Sequence, residues 1–169
     1  MITKSVFLFW LTMNYSPMDV AKIDVDQAYC MAQNVYHEAR SESIQGQLAV
    51  AGVTLNRTKD SRFPNSVCGV VNEKLTKKYC SFSWTCDGKS DAMHVHDRRG
   101  RLDPKKWKVF NDVAHVSVKT MLGKVKDASK GANYYYNPEK ASPLWASLYT
   151  VTCKIGDHVF LKRKKGSLV

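Results

Sequence analysis

The sequence predicts a mainly helical α+β domain, and three observations carry that prediction. Apolar residues recur at i, i+3, i+4 and i+7 over residues 25–40 and again after Asp103. Between these stretches, residues 43–57 are apolar around most of a helical circumference. Beyond residue 132 the pattern changes to the aromatic and β-branched residues of short strands. A chain of 169 residues, 44% hydrophobic and 24% charged, can bury one core of its own and does not have the composition of a disordered or fibrous protein. No repeat or low-complexity stretch divides it. Residues 1–24 are therefore taken as an N-terminal segment and residues 25–169 as one domain.

In chain order, the first apolar run is 6–13, behind Lys4. It has about half of the roughly 20 residues that a membrane-spanning helix needs. Its length suits the h-region of an export signal, but Asn14-Tyr15-Ser16-Pro17-Met18 is a poor cleavage site, so a segment packed on the domain is preferred. The helix over 25–40 carries Asp24 and Asp26 at its start, where the helix dipole favours acids. The run Leu48-Ala49-Val50-Ala51-Gly52-Val53 has small residues that let other backbones approach, which marks the next helix as central. A loop at Arg62-Phe63-Pro64-Asn65 precedes a short helix over 66–71, capped by Asn65 or Ser66. Residues 72–101 lose all periodicity and read as an irregular excursion. Asp103-Pro104 then supplies an N-cap and a first-turn proline. The stripe Trp107, Phe110, Ala114, Val118 and Met121 follows, ending near Leu122-Gly123. Strands are expected within 133–136, 148–155 and 158–161.

Lys and Arg number 26 against 15 Asp and Glu, a formal net charge of +11. Nucleic acid, an anionic membrane face and an acidic wall polymer all suit such a chain. Cys30, Cys68, Cys80, Cys86 and Cys153 contain no C-x2-C pair to grip zinc. A bridge between Cys80 and Cys86, or from either to Cys68, would brace the excursion in an oxidising compartment; otherwise all five pack as small apolar thiols.

Chemistry is expected first at Glu38. On the helical wheel it stands at the border of the stripe Ala28, Ala32, Val35 and Ala39, with Glu42 one turn later on the same side. Burial there disfavours the ionised carboxylate, so the group can hold a proton near neutral pH and deliver it to a leaving oxygen. Alone, a Glu pair at this spacing is more often surface charge, with Arg40 or Lys59 as partners.

The surrounding words supply context. They are Tyr36-His37-Glu38-Ala39-Arg40-Ser41-Glu42, then Gly46-Gln47 through Asn56-Arg57, then Phe63-Pro64-Asn65-Ser66-Val67. A second block is Cys80-Ser81-Phe82-Ser83-Trp84-Thr85-Cys86-Asp87-Gly88. A third runs through Ala132-Asn133-Tyr134-Tyr135, Pro143-Leu144-Trp145 and Ile155-Gly156-Asp157-His158-Val159-Phe160. Together they closely resemble the SleB-type cell-wall hydrolase family, which includes spore cortex-lytic enzymes and phage endolysins. The resemblance spans residues 28–160, and three blocks in order are far more specific than one motif. Ser41 stands where that family usually has glycine, and Ser81 where it usually has glutamine.

The resemblance implies a lysozyme-like fold that cleaves the β-1,4 link between N-acetylmuramic acid and N-acetylglucosamine in peptidoglycan, with Glu38 as general acid/base and neither cofactor nor metal. Hydrolysis by a retaining or inverting route needs a second carboxylate roughly 5 to 9.5 Å away across the scissile bond. A lytic transglycosylase needs none, because the muramyl C6 hydroxyl closes the ring. Glu42, on the same helix, cannot easily face Glu38 across a sugar; Asp87 and Asp91 are better placed, and the single-acid route is favoured. Phe82 and Trp84 are expected to stack on sugar rings or else to brace the loop, and Ser83 to bond an acetamido group. Of Tyr134, Tyr135 and Tyr136, one strand face is expected to line the cleft near Glu38 and the other to be core. Glu42, Gln47, Asn56, Arg57 and His158 are taken as supporting residues.

Two other classes remain. A zinc-dependent amidase would need a metal site, but Ser41 replaces the second histidine of H-E-x-x-H after His37-Glu38, and His94 and His96 lack a third ligand. A nucleic-acid-binding module would use the Arg98-Arg99-Gly100-Arg101 cluster and Lys162-Arg163-Lys164-Lys165, but no recognised binding motif accompanies them. The expected partners are peptidoglycan glycan strands and an anionic envelope, with no specific nucleic acid, and the expected state is a monomer. Compactness suits a phage endolysin, made in the host cytoplasm and released at lysis to act on the wall.

Overall fold

The computed structural model describes residues 1–76 and 79–163. Six helices precede a three-stranded antiparallel sheet: α1 Lys4–Asn14, α2 Pro17–Ala21, α3 Val25–Ala39, α4 Ile44–Thr58, α5 Val67–Val71 and α6 Pro104–Met121, then β1 Tyr134–Tyr136, β2 Tyr149–Ile155 and β3 His158–Arg163. Side-chain caps set the helix starts. Asp24 accepts from the backbone N–H groups of Asp26 and Gln27, Ser43 from Gly46, Ser66 from Gly69, and Asp103 from Lys105 and Lys106. Each cap satisfies donors that the first helical turn leaves without partners.

The core lies where α3 and α4 pack against each other and against α6, with α5 closing on α3. Val50, Ala51 and Val53 of α4 are wholly buried, as are Val35 of α3 and Phe110, Val113 and Ala114 of α6. The small residues of α4 do what their size allows: a Cβ on Gly52 would stand 2.3 Å from Asp127 Oδ1, so only glycine admits the loop that follows α6. The N-terminal segment is part of this core. Phe7 and Leu11 are fully buried and Trp10 nearly so, with Trp10 Nε1 donating to Asn111 on α6 at 3.0 Å. Among the described residues no helix is long and apolar enough to cross a membrane.

The sheet order is β1-β3-β2, so the last strand is the central one. Tyr135 stands opposite Phe160, and β2 shifts register between Val151 and Cys153. The sheet reaches the helices through a clamp at the end of α4. Asn56 Nδ2 donates to Asp127 Oδ2 at 2.8 Å and to the Ala132 carbonyl at 3.0 Å, and Arg57 Nε to the Asn133 carbonyl at 2.7 Å. These bonds fix the chain one residue before β1 begins.

Two expectations about elements need correction. The helix carrying Glu38 ends at Ala39, so Glu42 is not one turn further along it but sits in the turn to α4, its N–H bonded to the Ala39 carbonyl at 3.0 Å. Ser43 captures the backbone first and starts the next helix. The disulfide joins Cys30 to Cys68, while Cys80, Cys86 and Cys153 are free thiols. The packing of α5 on α3 decides this pairing, which joins residues 38 apart in sequence.

Candidate active site

Glu38, in the last turn of α3, opens into a cavity of about 230 Å³ bounded by Arg57, Cys80, Ser81, Phe82, Ser83 and Tyr135. The β1 strand brings Tyr135 to it from the other side, and Tyr135 Oη donates to Glu38 Oε2 at 2.9 Å. Burial raises the Glu38 pKa; the Tyr135 hydrogen bond and the charges of Arg57 and Lys140 oppose that rise without cancelling it. Burial and the neighbouring Glu38 also push the Tyr135 hydroxyl well above its ordinary value, which keeps it a donor. The result is a carboxyl held in one orientation, biased towards its protonated form and open to a ligand. Such a group can act as a general acid.

Arg57 forms the wall between this cavity and a larger groove of about 600 Å³. It is only 8% exposed, and its guanidinium lies 5.1, 5.2 and 5.7 Å from the ring centres of Phe63, Phe82 and Tyr134. Three aromatic faces thus replace much of the water this buried cation lost. The groove shares Arg57, Ser81 and Tyr135 with the Glu38 cavity and continues past Phe63, Tyr134, Trp145 and Tyr149. Tyr134, Trp145 and Tyr149 form a cluster with centroids 4.6 to 5.7 Å apart. The site thus joins a carboxyl in a small cavity to a larger groove lined by aromatic rings.

A family model described as Cell Wall Hydrolase matches residues 41–161. The chain belongs to that family. The matched span begins three residues after Glu38. Curated relatives include the spore cortex-lytic enzymes of Bacillus subtilis, 35% identical over 130 residues, and of Oceanobacillus iheyensis, 33% identical over 146 residues. Those alignments cover 77% and 83% of this chain but only 35% and 45% of the relatives, so the chain spans less than half their length. Among solved structures, the catalytic domain of the Bacillus cereus SleB protein superposes with a TM-score of 0.55 at 29% identity, covering 88% of this chain and 94% of that one. The catalytic domain of the germination-specific lytic transglycosylase SleB of Bacillus anthracis gives a TM-score of 0.53 at 28% identity, covering 88% and 98%. The fold is lysozyme-like, mainly helical with a small sheet.

Within this cell-wall hydrolase fold, only some of the sequence-predicted residues meet. Glu38, Ser83, Arg57 and Tyr135 meet at the cavity. Phe82 and Trp84 do not offer open stacking faces, being 3% and 9% exposed. Arg57 covers the Phe82 ring, and Trp84 stacks on His37 at 4.4 Å and donates to Asn34 Oδ1 at 3.2 Å. Trp84 bolts the 3-10 turn Ser83–Cys86 to α3, and Phe82, just before that turn, packs under Arg57 of α4. Tyr134 and Tyr136, placed opposite Tyr135, are not core either: both contact Trp145, and Tyr134 lines the groove.

Asp87 is exposed beside Lys89 and lines a separate cavity with Tyr36, His37 and Arg40, away from Glu38. Asp91 is also exposed, its carbonyl accepting from Gln33 Nε2. Among the described residues lining the Glu38 cavity there is no second carboxylate. Glu42 and His158 form the support behind Tyr135: His158 Nδ1 lies 3.8 Å from Glu42 Oε1, and its ring stands edge-on to Tyr135 at 5.2 Å. Gln47 Nε2 donates to the Glu42 carbonyl at 3.2 Å. Ser41 has no positive φ, so glycine is not required there. Ser81 Oγ donates to Glu73 Oε2 at 2.5 Å and thereby ties down the one carboxylate among the groove's described lining residues.

Sequence reasoning missed Glu73, Arg62 and Tyr149 as groove residues. Only the proline-leucine-tryptophan word gave a signal for that wall. Among the described residues no group of three or more His, Cys, Asp or Glu could hold a metal. Of the tail cluster, Lys164 and Lys165 lie outside the described residues.

Proposed function

We propose that this chain cleaves the β-1,4 link between N-acetylmuramic acid and N-acetylglucosamine in peptidoglycan, outside the cytoplasm, by a lytic transglycosylase route with Glu38 as its single acid/base. The observation that carries this reading is the Glu38 carboxyl, biased towards its protonated form in a cavity at the end of an aromatic groove. Glu38 gives its proton to the glycosidic oxygen as the C1–O bond breaks. The resulting carboxylate then takes the proton of the muramyl C6 hydroxyl as that oxygen closes on C1, which restores the acid and leaves a 1,6-anhydro end. Tyr135 Oη donates to Oε2, so on this reading Oε1 carries the transferred proton. A hydrolytic muramidase would want a partner carboxylate across the cleft, and the described lining of the cavity holds none. The name of the Bacillus anthracis structure points the same way. The relatives named above are bacterial spore enzymes, so the expectation of a phage endolysin rests on compactness alone.

Mass spectrometry of products from purified peptidoglycan tests the proposal. Anhydromuramyl ends support it, reducing ends replace it with hydrolysis, and free stem peptides replace it with an amidase.

A further inference from the structure

The groove beyond Arg57 is more than a passage for neutral sugar. Among its described lining residues are the guanidinium groups of Arg57, Arg62 and Arg163 and one carboxylate, Glu73, which Ser81 Oγ holds at 2.5 Å. Asp60, outside the lining, accepts from Arg62 Nε at 2.8 Å and from Nη2 as well, which fixes the plane of that guanidinium and leaves Nη1 for a ligand. The rings of Tyr134, Trp145 and Tyr149 line the same groove. Leu75, 62% exposed, adds an apolar side chain to the lining. Flat aromatic faces suit a pyranose ring, whereas an oriented, charged guanidinium N–H suits a carboxylate.

We infer that this groove is a subsite for a sugar bearing a carboxylate, stacked against the Tyr134, Trp145 and Tyr149 cluster, with Arg62 reading the charge. The inference rests on the glycan-cleaving reading above and deepens it: a neutral N-acetylglucosamine unit lacks the group that Arg62 would bind, and a muramyl unit carries it. The muramyl unit would therefore sit in the groove while its link lies over Glu38. Its carboxylate has two sources, the lactyl arm of a peptide-free strand or the acidic residues of a stem peptide.

Calorimetry with the non-cleaving Glu38→Gln protein separates these cases. The ligands are a muramyl tetrasaccharide with free lactyl carboxylates, the same with stem peptides, the peptide-free form with its carboxylates converted to methylamides, and chitotetraose. At least one charged form should bind about fivefold more tightly than the methylamide and chitotetraose, the worth of one partly exposed charge pair. The tighter of the two charged forms identifies the source. Arg62→Gln should abolish that preference and leave chitotetraose unchanged, while Trp145→Ala should weaken all four. Equal affinity for charged and methylamide forms, or an Arg62→Gln loss shared by all ligands, overturns the inference. Peptidoglycan cleavage by the wild type without charge preference sinks the subsite alone; charge preference without cleavage sinks the catalytic reading alone.

Discussion

The chemistry converges on one carboxyl and its two close neighbours. Glu38→Gln should lower peptidoglycan cleavage by roughly two to four orders of magnitude, the usual contribution of a general acid. Retention of wild-type turnover in a dye-release assay would remove Glu38 from the mechanism. The same substitution has a stability signature. A carboxyl whose pKa is raised by folding favours the native state at low pH and loses that contribution as pH rises through the folded value. Glu38→Gln should therefore melt at a higher temperature than the wild type at neutral pH, with the gap narrowing on acidification. Tyr135→Phe removes a hydrogen bond that lowers the Glu38 pKa. Its alkaline limb of activity should move to higher pH, measured as turnover against pH; an unchanged limb would mean that the hydroxyl does not touch the acid in solution. His37, His115 and His158 act in the opposite sense. Burial lowers all three pKa values, so acid must charge them inside the fold, and stability falls as pH drops towards and below the histidine range.

Single helices and turns explain which parts of the site were legible in the sequence. Glu38 could be found because helical periodicity places a border residue without knowledge of any partner. Asn56 and Arg57 could be taken as supporting residues because they end a helix already read as central. Two readings missed contacts made elsewhere in the fold. Trp84 looks like a sugar platform in isolation, but Asn34, 50 positions earlier, takes its N–H, and His37 takes its face. Glu42 left the helical wheel because Ser43 caps the next helix. Its carboxylate turned instead to the β2–β3 turn, where Asp157 N–H donates to Oε2 at 3.4 Å. A Cβ at Gly156 would stand 2.0 Å from that oxygen, and the backbone there has a φ of +54°. Gly156→Ala should thus displace Glu42 and lower the melting temperature, whereas Gly88→Ala, with open space around it, should cost only the strain of its positive φ. The Cys30–Cys68 bridge closes a separation of 38 residues, for which chain entropy suggests about 3–4 kcal/mol. Urea titration of Cys30→Ser should show a loss of that order; no loss would mean that the bridge adds nothing to the packing of α5 on α3.

For the molecule as a whole, the charge of +11 gives association with any acidic envelope a strong ionic component. Cosedimentation with peptidoglycan sacculi should fall steeply with added salt, and binding that persists unchanged at high salt would assign capture to the groove and not to net charge. The N-terminal helix belongs to the same cooperative body as the cleft, because Phe7 packs on Tyr29 of α3 and Phe110 of α6. The order of strands in the sheet sets when that body becomes competent. Both β1 and β2 pair only with β3, the last of the three to be synthesised. A nascent chain that has already made Glu38 therefore carries an acid without the strand register that presents Tyr135 to it. On the proposed reading the acid becomes competent late in translation, as β3 slots between its neighbours, and a truncated product lacking that strand has no register to hold Tyr135 against Glu38.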